Sequence, residues 1–335
     1  MGILPKDMFD GKKVLITGGT GSLGTALTKK LLETKVDTIR IFSRDEWKQV
    51  KMESDIGDKR LRFFIGDVRD KERLSRALEN VNIVIHAAAI KQMPVAEYNP
   101  FEAVKTNIMG TQNLIDACLN NDVESVLAIG TDKAVSPINT YGATKLLMER
   151  LIVSANFYKG EHKIKFACVR YGNVMGSRGS VIPVFVNQIK TGKKITITDP
   201  NMTRFNITMN EALDLIFRAL KNNKGGEVFV PKLKAFKVGD IKDAITEVMK
   251  CNNQTEKIPI RPGEKVHESL INHDELHNTF ENKDDYVVID KQIHDWYMKD
   301  SKLPKTNLKE QYSSNNVDLL TKDELKELLI KEKLV

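Results

Sequence analysis

Tyr141 and Lys145 stand four residues apart, and Thr131, Asp132 and Lys133 lie just upstream, in GTDKAVSPINTYGATK over 130–145. On a helix, a four-residue spacing places two side chains on one face, one turn apart. An ammonium so placed stabilises a phenolate and lowers a tyrosine pKa from about 10, giving a base usable near neutral pH. Asp132 and Lys133 read in one of two ways: as charges on a surface turn after a strand, or as a second acid–base pair.

A second chemical segment lies near the start of the chain. VLITGGTGSLGTAL puts Gly18, Gly21 and Gly24, with Thr20, Ser22 and Leu23 between them, directly after an apolar strand and at the mouth of a helix. Glycines there permit a tight turn and let backbone N–H groups approach a pyrophosphate at a helix N-terminus. The spacing is Gly-x-x-Gly-x-x-Gly, and the reading is a dinucleotide cradle. The second apolar run ends in IFSRDEWK. Ser43 and Arg44 occupy the place where an acidic residue would bind a ribose 2′-hydroxyl, so NADP is expected over NAD, with Lys48 as a second cation and Asp45 as the opposing charge. Asp67 and Val68 follow the third run, at the adenine end. Ala87, Ala88 and Ala89 close the fourth run where backbone passes near the cofactor.

Both segments need a scaffold, and the chain supplies one. Apolar runs at 13–17, 38–42, 61–66, 82–88, 125–130 and 165–172 alternate with amphipathic stretches at 22–35, 70–80, 100–120 and 141–159. That rhythm predicts an α/β fold, a Rossmann-type doubly wound parallel sheet. After Gly172 the chain turns loop-rich and basic, with helices expected at 209–222 and 238–250, and EVFVP after Gly225-Gly226 is expected to return to the sheet. The expected division is a cofactor domain over 1–172 plus roughly 206–232, and a smaller substrate lobe over 173–205 and 233–335. Thr321 and Glu324 have capping-box spacing ahead of a terminal packing helix.

The 335 residues, 41% of them hydrophobic, suffice for a sizeable core. The net charge of +7 suits an anionic partner such as a phosphorylated substrate. Basic residues are spread without aromatic interleaving, which argues against nucleic acid. Cys118, Cys168 and Cys251 form neither a disulfide framework nor a metal-ligand pattern, in keeping with a reducing cytoplasm. His273 and His277 lack the His-Glu-x-x-His order of a metalloprotease, and no metal is expected. No run approaches the ~18 apolar residues that span a bilayer, and no signal core opens the chain, so no membrane partner is expected.

With the cofactor turn and a strand ending IGT ahead of it, Tyr-x-x-x-Lys resembles the extended, sugar-nucleotide-modifying branch of the short-chain dehydrogenase/reductase superfamily. HAAAIKQMPVAEYNP (86–100), TNIMGTQN (106–113), RYGNVMGSRGSVIP (170–183), MTRF (202–205), RPGEKVHE (261–268) and YSSNN (312–316), together with the 130–145 stretch, resemble the inverting UDP-N-acetylglucosamine 4,6-dehydratases that open pseudaminic acid biosynthesis. The resemblance runs from residue 13 to about 320. It implies that Thr131 hydrogen-bonds the reacting oxygen and that Tyr141 takes the C4 hydroxyl proton as hydride passes to the cofactor. Lys133 then removes the C5 proton and Asp132 protonates the C6 oxygen. These roles demand a partly neutral Lys133 and a protonated Asp132; an ion pair between the two would oppose both.

The resemblance further implies UDP-sugar contacts from Lys91, Asn173, Arg178, Val181, Thr196, Arg204, Arg261 and Glu264, with arginines suited to diphosphate and a carboxylate to a ribose diol. It also implies a homo-oligomer, dimer or hexamer, and a surface-glycan destination. The alternatives are another nucleotide-sugar 4,6-dehydratase, retaining or also epimerising, then a UDP-sugar 4-epimerase, and, outside catalysis, an NADP-binding regulatory protein.

Overall fold

The computed structural model describes residues 6–177, 179–289 and 303–335. The strands are β1 (Lys13–Thr17), β2 (Thr38–Ser43), β3 (Leu61–Ile65), β4 (Ile83–His86), β5 (Ser125–Ile129), β6 (Lys165–Val169), β7 (Ile195–Ile197), β8 (Thr203–Phe205), β9 (Glu227–Pro231), β10 (Ala235–Lys237), β11 (Thr255–Lys257), β12 (Ser269–Ile271), β13 (Thr279–Glu281), β14 (Asp285–Ile289) and β15 (Tyr312–Ser313). The helices are α1 (Ser22–Leu31), α2 (Glu46–Ile56), α3 (Lys71–Leu78), α4 (Met93–Tyr98), α5 (Pro100–Val104), α6 (Gly110–Asn120), α7 (Thr140–Tyr158), α8 (Val181–Lys190), α9 (Met209–Asn222), α10 (Val238–Val248) and α11 (Lys322–Lys331).

Six expected strands fall on β1 to β6, and EVFVP forms β9 beside β6. Parallel strands run in the order β3-β2-β1-β4-β5-β6-β9, and the order reverses between β1 and β4. A crevice opens at such a reversal, beyond the carboxyl ends of the strands.

The strands read as continuous apolar runs because helices cover both faces. Val14, Ile16, Ile39 and Ile85 pack with Leu27 and Leu31 of α1 and Ile216 and Leu220 of α9. Their neighbours Leu15, Val84, Val126 and Phe166 point the other way, onto Leu74 of α3, Leu114 of α6 and Ile152 of α7. Each such side chain contributes roughly 1.5–3 kcal/mol on burial. A third cluster gathers Ile182 and Phe185 of α8, Ile241 and Ile245 of α10, and Leu325 and Leu329 of α11. Helices α8, α10 and α11 therefore have a core of their own.

Four features depart from the sequence reading. Helix α2 has only Gln49 and Met52 buried, so it carries almost no apolar stripe to read. GSRGSVIPVF reads as loop, but α8 starts at Val181, with Pro183 in the first turn where no N–H is required. The single helix expected at 100–120 is α5, one π-helical turn over Lys105–Met109, and α6. Finally, antiparallel β14 and β13 extend the β9 edge, making nine strands and bringing 279–289, on the lobe side of the expected division, into the main sheet. The terminal helix α11 starts as expected, with a capping box between Thr321 and Glu324. Among the described residues, no helix is long and apolar enough to cross a membrane, and no group of three or more His, Cys, Asp or Glu is arranged to hold a metal.

Candidate active site

At the reversal point, the turn after β1 lies directly on the end of β4. Gly18 has φ +66°, and a Cβ there would meet Ala88 Cα and N at 3.0 Å, so this close approach requires glycine. Gly21 is the N-cap of α1 and no side chain caps that end, which leaves the first-turn N–H groups and the positive end of the helix dipole for an anion. Thr17 Oγ1 accepts from Ala87 N at 3.1 Å and Ala88 N at 3.2 Å, fixing the alanine run opposite the turn.

His86 holds that threonine. Its Nδ1 is 2.7 Å from Thr17 Oγ1 and its Nε2 3.1 Å from Thr111 Oγ1. The Thr111 hydroxyl spends its hydrogen on Asn107 O at 2.7 Å, so Nε2 donates and Nδ1 accepts from Thr17. Full burial, helped by the Lys145 charge, pushes this imidazole down to about 3 and keeps it neutral.

At the far end of the crevice, Asp45 is turned inward on its own helix. It caps α2 by accepting from Lys48 N at 3.0 Å and pairs with Lys48 Nζ at 2.5 Å. Gln49 Nε2 donates to Ser43 Oγ at 3.0 Å. Asp67 lies 2.6 Å from Arg69 and 3.9 Å from Arg44; burial pushes its carboxyl up, but hydrogen bonds from Arg69 hold it below the ordinary value.

The 130–145 stretch folds as β5, a 3₁₀ turn over Asp132–Ala134, and α7. Asn139 caps α7, accepting from Gly142 N at 2.7 Å. A Cβ on Gly142 would lie 2.2 Å from Lys133 O, so only glycine lets the first turn of α7 rest on the 3₁₀ turn. This contact brings Tyr141 over Thr131 and Lys133. Tyr141 shares a hydrogen bond with Thr131, but against expectation its phenol stands above the ordinary value, because burial pushes it up by more than Lys133 and Thr131 pull it down.

Lys145 departs from expectation. Its ammonium donates to Ile129 O at 2.6 Å and lies 2.9 Å from Met148 Sδ, and burial lowers it to about 8. The cation acting on Tyr141 is Lys133. The expected depression of Lys133 is also reversed. Burial pushes it down, but the Asp132 and Glu268 carboxylates outweigh burial and hold the ammonium above its ordinary value. Lys133 Nζ is 3.1 Å from Asp132 Oδ1, 3.3 Å from Glu268 Oε1 and 3.4 Å from Asn173 Oδ1.

Glu268 arrives on a loop fastened to the same stretch. Lys265 Nζ donates to Val135 O at 2.7 Å, and Asn139 Nδ2 to Gly263 O at 2.9 Å. Arg204 on β8 is spent within the protein, donating to Thr203 O, Val266 O and Lys265 O at 2.8 to 3.0 Å, with Glu264 Oε1 at 3.5 Å. It braces the loop. Glu268 N donates to Ser314 Oγ at 3.0 Å and Ser314 N to Glu268 O at 2.8 Å, which gives the YSSNN segment its part. Behind the site, buried Arg170 pairs with Glu149 of α7 and, at 2.9 Å, with Glu275, and donates to Leu270 O of β12 at 2.8 Å.

One continuous cavity of about 660 Å³ joins these parts. Its cofactor side takes in Gly18, Thr20, Gly21, Ser22, Leu23, Gly24, Ser43, Arg44, Lys48, Asp67, Val68 and Ala87 to Ala89. Thr131, Lys133, Tyr141 and Lys145 lie at its centre, with Lys91, Asn173, Val181, Thr196, Arg204, Arg261 and Glu264 beyond. Asp132 is 1% exposed and does not reach the lining. Arg178 lies outside the described residues. Sequence reasoning missed three residues. Glu268 lines the cavity; its only signal was membership of RPGEKVHE. His86 fastens Thr17. Asn107, on the π-helical turn, bonds both Ile90 N and Ile90 O, at 2.8 and 3.0 Å, and holds the loop after β4.

A glycine turn at the sheet reversal, a Thr-Tyr pair beside it, and a second core over the carboxyl edge define the extended short-chain dehydrogenase/reductase fold. Within that class, the chain belongs to the family described as polysaccharide biosynthesis protein, whose model matches residues 14–290. An inverting UDP-N-acetylglucosamine 4,6-dehydratase of Campylobacter jejuni is 49% identical over 283 residues, 84% of either chain. A UDP-glucose 4-epimerase of Rickettsia rickettsii is 40% identical over 331 residues, 96% of either chain. The solved structure of Pen from Bacillus thuringiensis is 42% identical with a TM-score of 0.91, covering 98% of this chain and 99% of that one.

Proposed function

We propose that the protein is a hydro-lyase, a UDP-N-acetylglucosamine 4,6-dehydratase that inverts C5, forming UDP-2-acetamido-2,6-dideoxy-β-L-arabino-hex-4-ulose. The observation that carries this reading is Lys133: a lysine flanked by carboxyl groups, in the same cavity as Thr131 and Tyr141, provides acid–base groups beyond those an alcohol oxidation uses. The 49% identity to the Campylobacter enzyme supports it.

The cavity's cofactor side fits a nicotinamide dinucleotide. The uncapped start of α1 suits the pyrophosphate and the Gly18 turn brings backbone against it. NADP is favoured over NAD because Asp45 is engaged by its own helix and by Lys48, while exposed Arg44, 3.9 Å from Asp67, suits a 2′-phosphate. A nicotinamide held there by the Gly18 turn and the start of α1 would supply the hydride acceptor for C4 oxidation and the hydride donor for the return to C6. The remaining work falls to the protein. Tyr141 accepts the C4 hydroxyl proton through the hydrogen-bonded contact with Thr131. The C4 ketone acidifies the C5 proton, which Lys133 removes, and a carboxyl group beside Lys133 protonates the departing C6 oxygen. Arg261 and Glu264, with Lys91, Asn173, Val181 and Thr196, face the UDP-sugar; Arg204 positions their loop. On this division the main sheet, with its β13–β14 edge, belongs to the cofactor half, and 173–205 with the rest of 233–335 holds the sugar nucleotide.

The proposal extends to a cytoplasmic enzyme early in pseudaminic acid or related surface-glycan synthesis, assembled as a homo-oligomer. Exposed Tyr98, Phe101, Leu147 and Tyr158 on α4, α5 and α7 support assembly through a second copy of this chain. A second reading, 4-epimerisation, draws on the Rickettsia relative; it has no use for an acid and a base at C5 and C6. Incubation with UDP-N-acetylglucosamine in D₂O, followed by NMR, separates the two. A 4-keto-6-deoxy product carrying C5 deuterium with inverted configuration is expected; a C4 epimer without solvent deuterium would overturn the dehydratase reading.

A further inference from the structure

Both ends of the Asn139 side chain are engaged, and on different parts of the molecule. Its Oδ1 accepts from Gly142 N at 2.7 Å and so caps α7, two residues before Tyr141. Its Nδ2 donates to Gly263 O at 2.9 Å and lies 3.5 Å from Met93 Sδ. A backbone N–H is met only by the amide oxygen and a carbonyl only by the amide nitrogen, so the two partners fix which way the amide faces. Gly263 stands at the tip of a turn. Arg261-Pro262-Gly263-Glu264 closes with Glu264 N donating to Arg261 O at 3.0 Å, and Gly263 has φ +78°, the pattern of a type II turn with proline second and glycine third. Arg261 and Glu264 flank the tip and both line the cavity, as does Met93. A Cβ on Gly263 would lie 2.8 Å from Asn139 Cβ, so the turn rests directly on the residue that starts α7. Asn139 itself does not line the cavity, and any effect it has on the chemistry runs through its two partners.

We propose that Asn139 is a positioning residue that carries occupation of the nucleotide half of the site to Tyr141. The inference rests on the reading above, in which Arg261 and Glu264 face the UDP moiety and Tyr141 takes the C4 hydroxyl proton. A diphosphate and a ribose bound by Arg261 and Glu264 hold the turn between them in place. The turn holds the Asn139 amide through the Gly263 carbonyl. The amide in turn holds the first turn of α7, on which Tyr141 is carried over Thr131. Binding energy from a part of the substrate that does not react is in this way used to set the geometry at C4, where a small misplacement is costly to the rate. A second tie, from Lys265 Nζ to Val135 O at 2.7 Å, keeps the loop against the 3₁₀ turn when the Asn139 contact is cut, so the two roles of Asn139 can be separated without releasing the loop.

The test uses full-length protein carrying its cofactor, with UDP-N-acetylglucosamine as substrate and UDP as a non-reacting probe. Asn139→Asp keeps the capping oxygen and loses the donor to Gly263; Asn139→Ser keeps a capping oxygen, lacks the reach to Gly263 and adds no charge. Each is expected to lower kcat ~10–100-fold, with C4 oxidation at the first turnover, read as cofactor absorbance, falling by the same factor. KM and the Kd of UDP should stay within about threefold of wild type, and the melting temperature should be kept. Asn139→Ala, which loses the cap as well, should also melt at a lower temperature. Turnover within about twofold of wild type in both capping variants overturns the proposal. So does a fall in turnover that comes only with a lowered melting temperature, or one matched by an equal weakening of UDP binding. Gly263→Ala drives a methyl group into Asn139 from the other side of the contact. Combined with Asn139→Asp it should lower kcat by no more than about twofold beyond the larger single loss, whereas losses that multiply would show separate causes and sink the idea. Wild-type protein that does not convert UDP-N-acetylglucosamine removes the underlying reading instead.

Discussion

On the proposed mechanism, Lys133 answers to two demands that pull against each other: a resting ammonium held by two carboxylates, and an amine at the moment C5 loses its proton. Replacing it separates binding from chemistry. Lys133→Ala should hold its cofactor and lower C5 deuterium exchange by ~10²–10⁴-fold, whereas exchange at the wild-type rate would remove Lys133 from the mechanism. His86 makes a prediction about stability. Its imidazole binds a proton near 6.5 unfolded and only near 3 folded, so the unfolded chain binds more protons between those values. The stability it contributes is present above 6.5 and is lost as pH falls toward 3. From pH 7 to pH 5 the loss should be about 2 kcal/mol, measured by denaturant unfolding, and His86→Gln should lack that component. At this scale the contiguous residues were legible. Thr131, Asp132, Lys133, Tyr141 and Lys145 share one short stretch, so their nearness was legible, although the side on which Lys145 bonds was not. Glu268 meets them only through a tertiary contact, and the direction of Lys133's shift depends on that contact.

Among the elements, the contact between α7 and the 3₁₀ turn is the tightest at the site. Gly142→Ala would drive a methyl group into the Lys133 carbonyl and force the helix away. The expected cost is ~1–3 kcal/mol, visible as a lowered melting temperature, with a larger fall in turnover than in UDP-sugar affinity because Tyr141 is carried off Thr131. Strands buried on both faces and helices with a strong apolar stripe could be read from the sequence because burial writes itself into composition. Helix α2 was invisible because solvent covers most of it. The π-helical turn was invisible because nothing in KTNIM departs from an ordinary helical sequence, and Asn107 gains its role only from the loop after β4. The β13–β14 edge is short and antiparallel, and a parallel βαβ rhythm carries no signal for it.

At the scale of the molecule, the proposed homo-oligomer would dock its second copy on the exposed apolar side chains of α4, α5 and α7. Phe101→Asp combined with Leu147→Asp should shift the protein to a smaller species in light scattering while far-ultraviolet circular dichroism is kept; an unchanged mass would place assembly elsewhere. Arg170 joins the halves in another way. It is 1% exposed and binds Glu149 on α7, Glu275 and the Leu270 carbonyl together. Removing one partner strands a buried charge, at ~3–5 kcal/mol, although a set of well-packed apolar replacements is often tolerated. In a saturation library built one substitution at a time, all three positions should therefore look immutable. A library that varies them jointly should recover apolar triplets, and an evolving lineage confined to single steps would be held at this arrangement by the route out rather than by the destination.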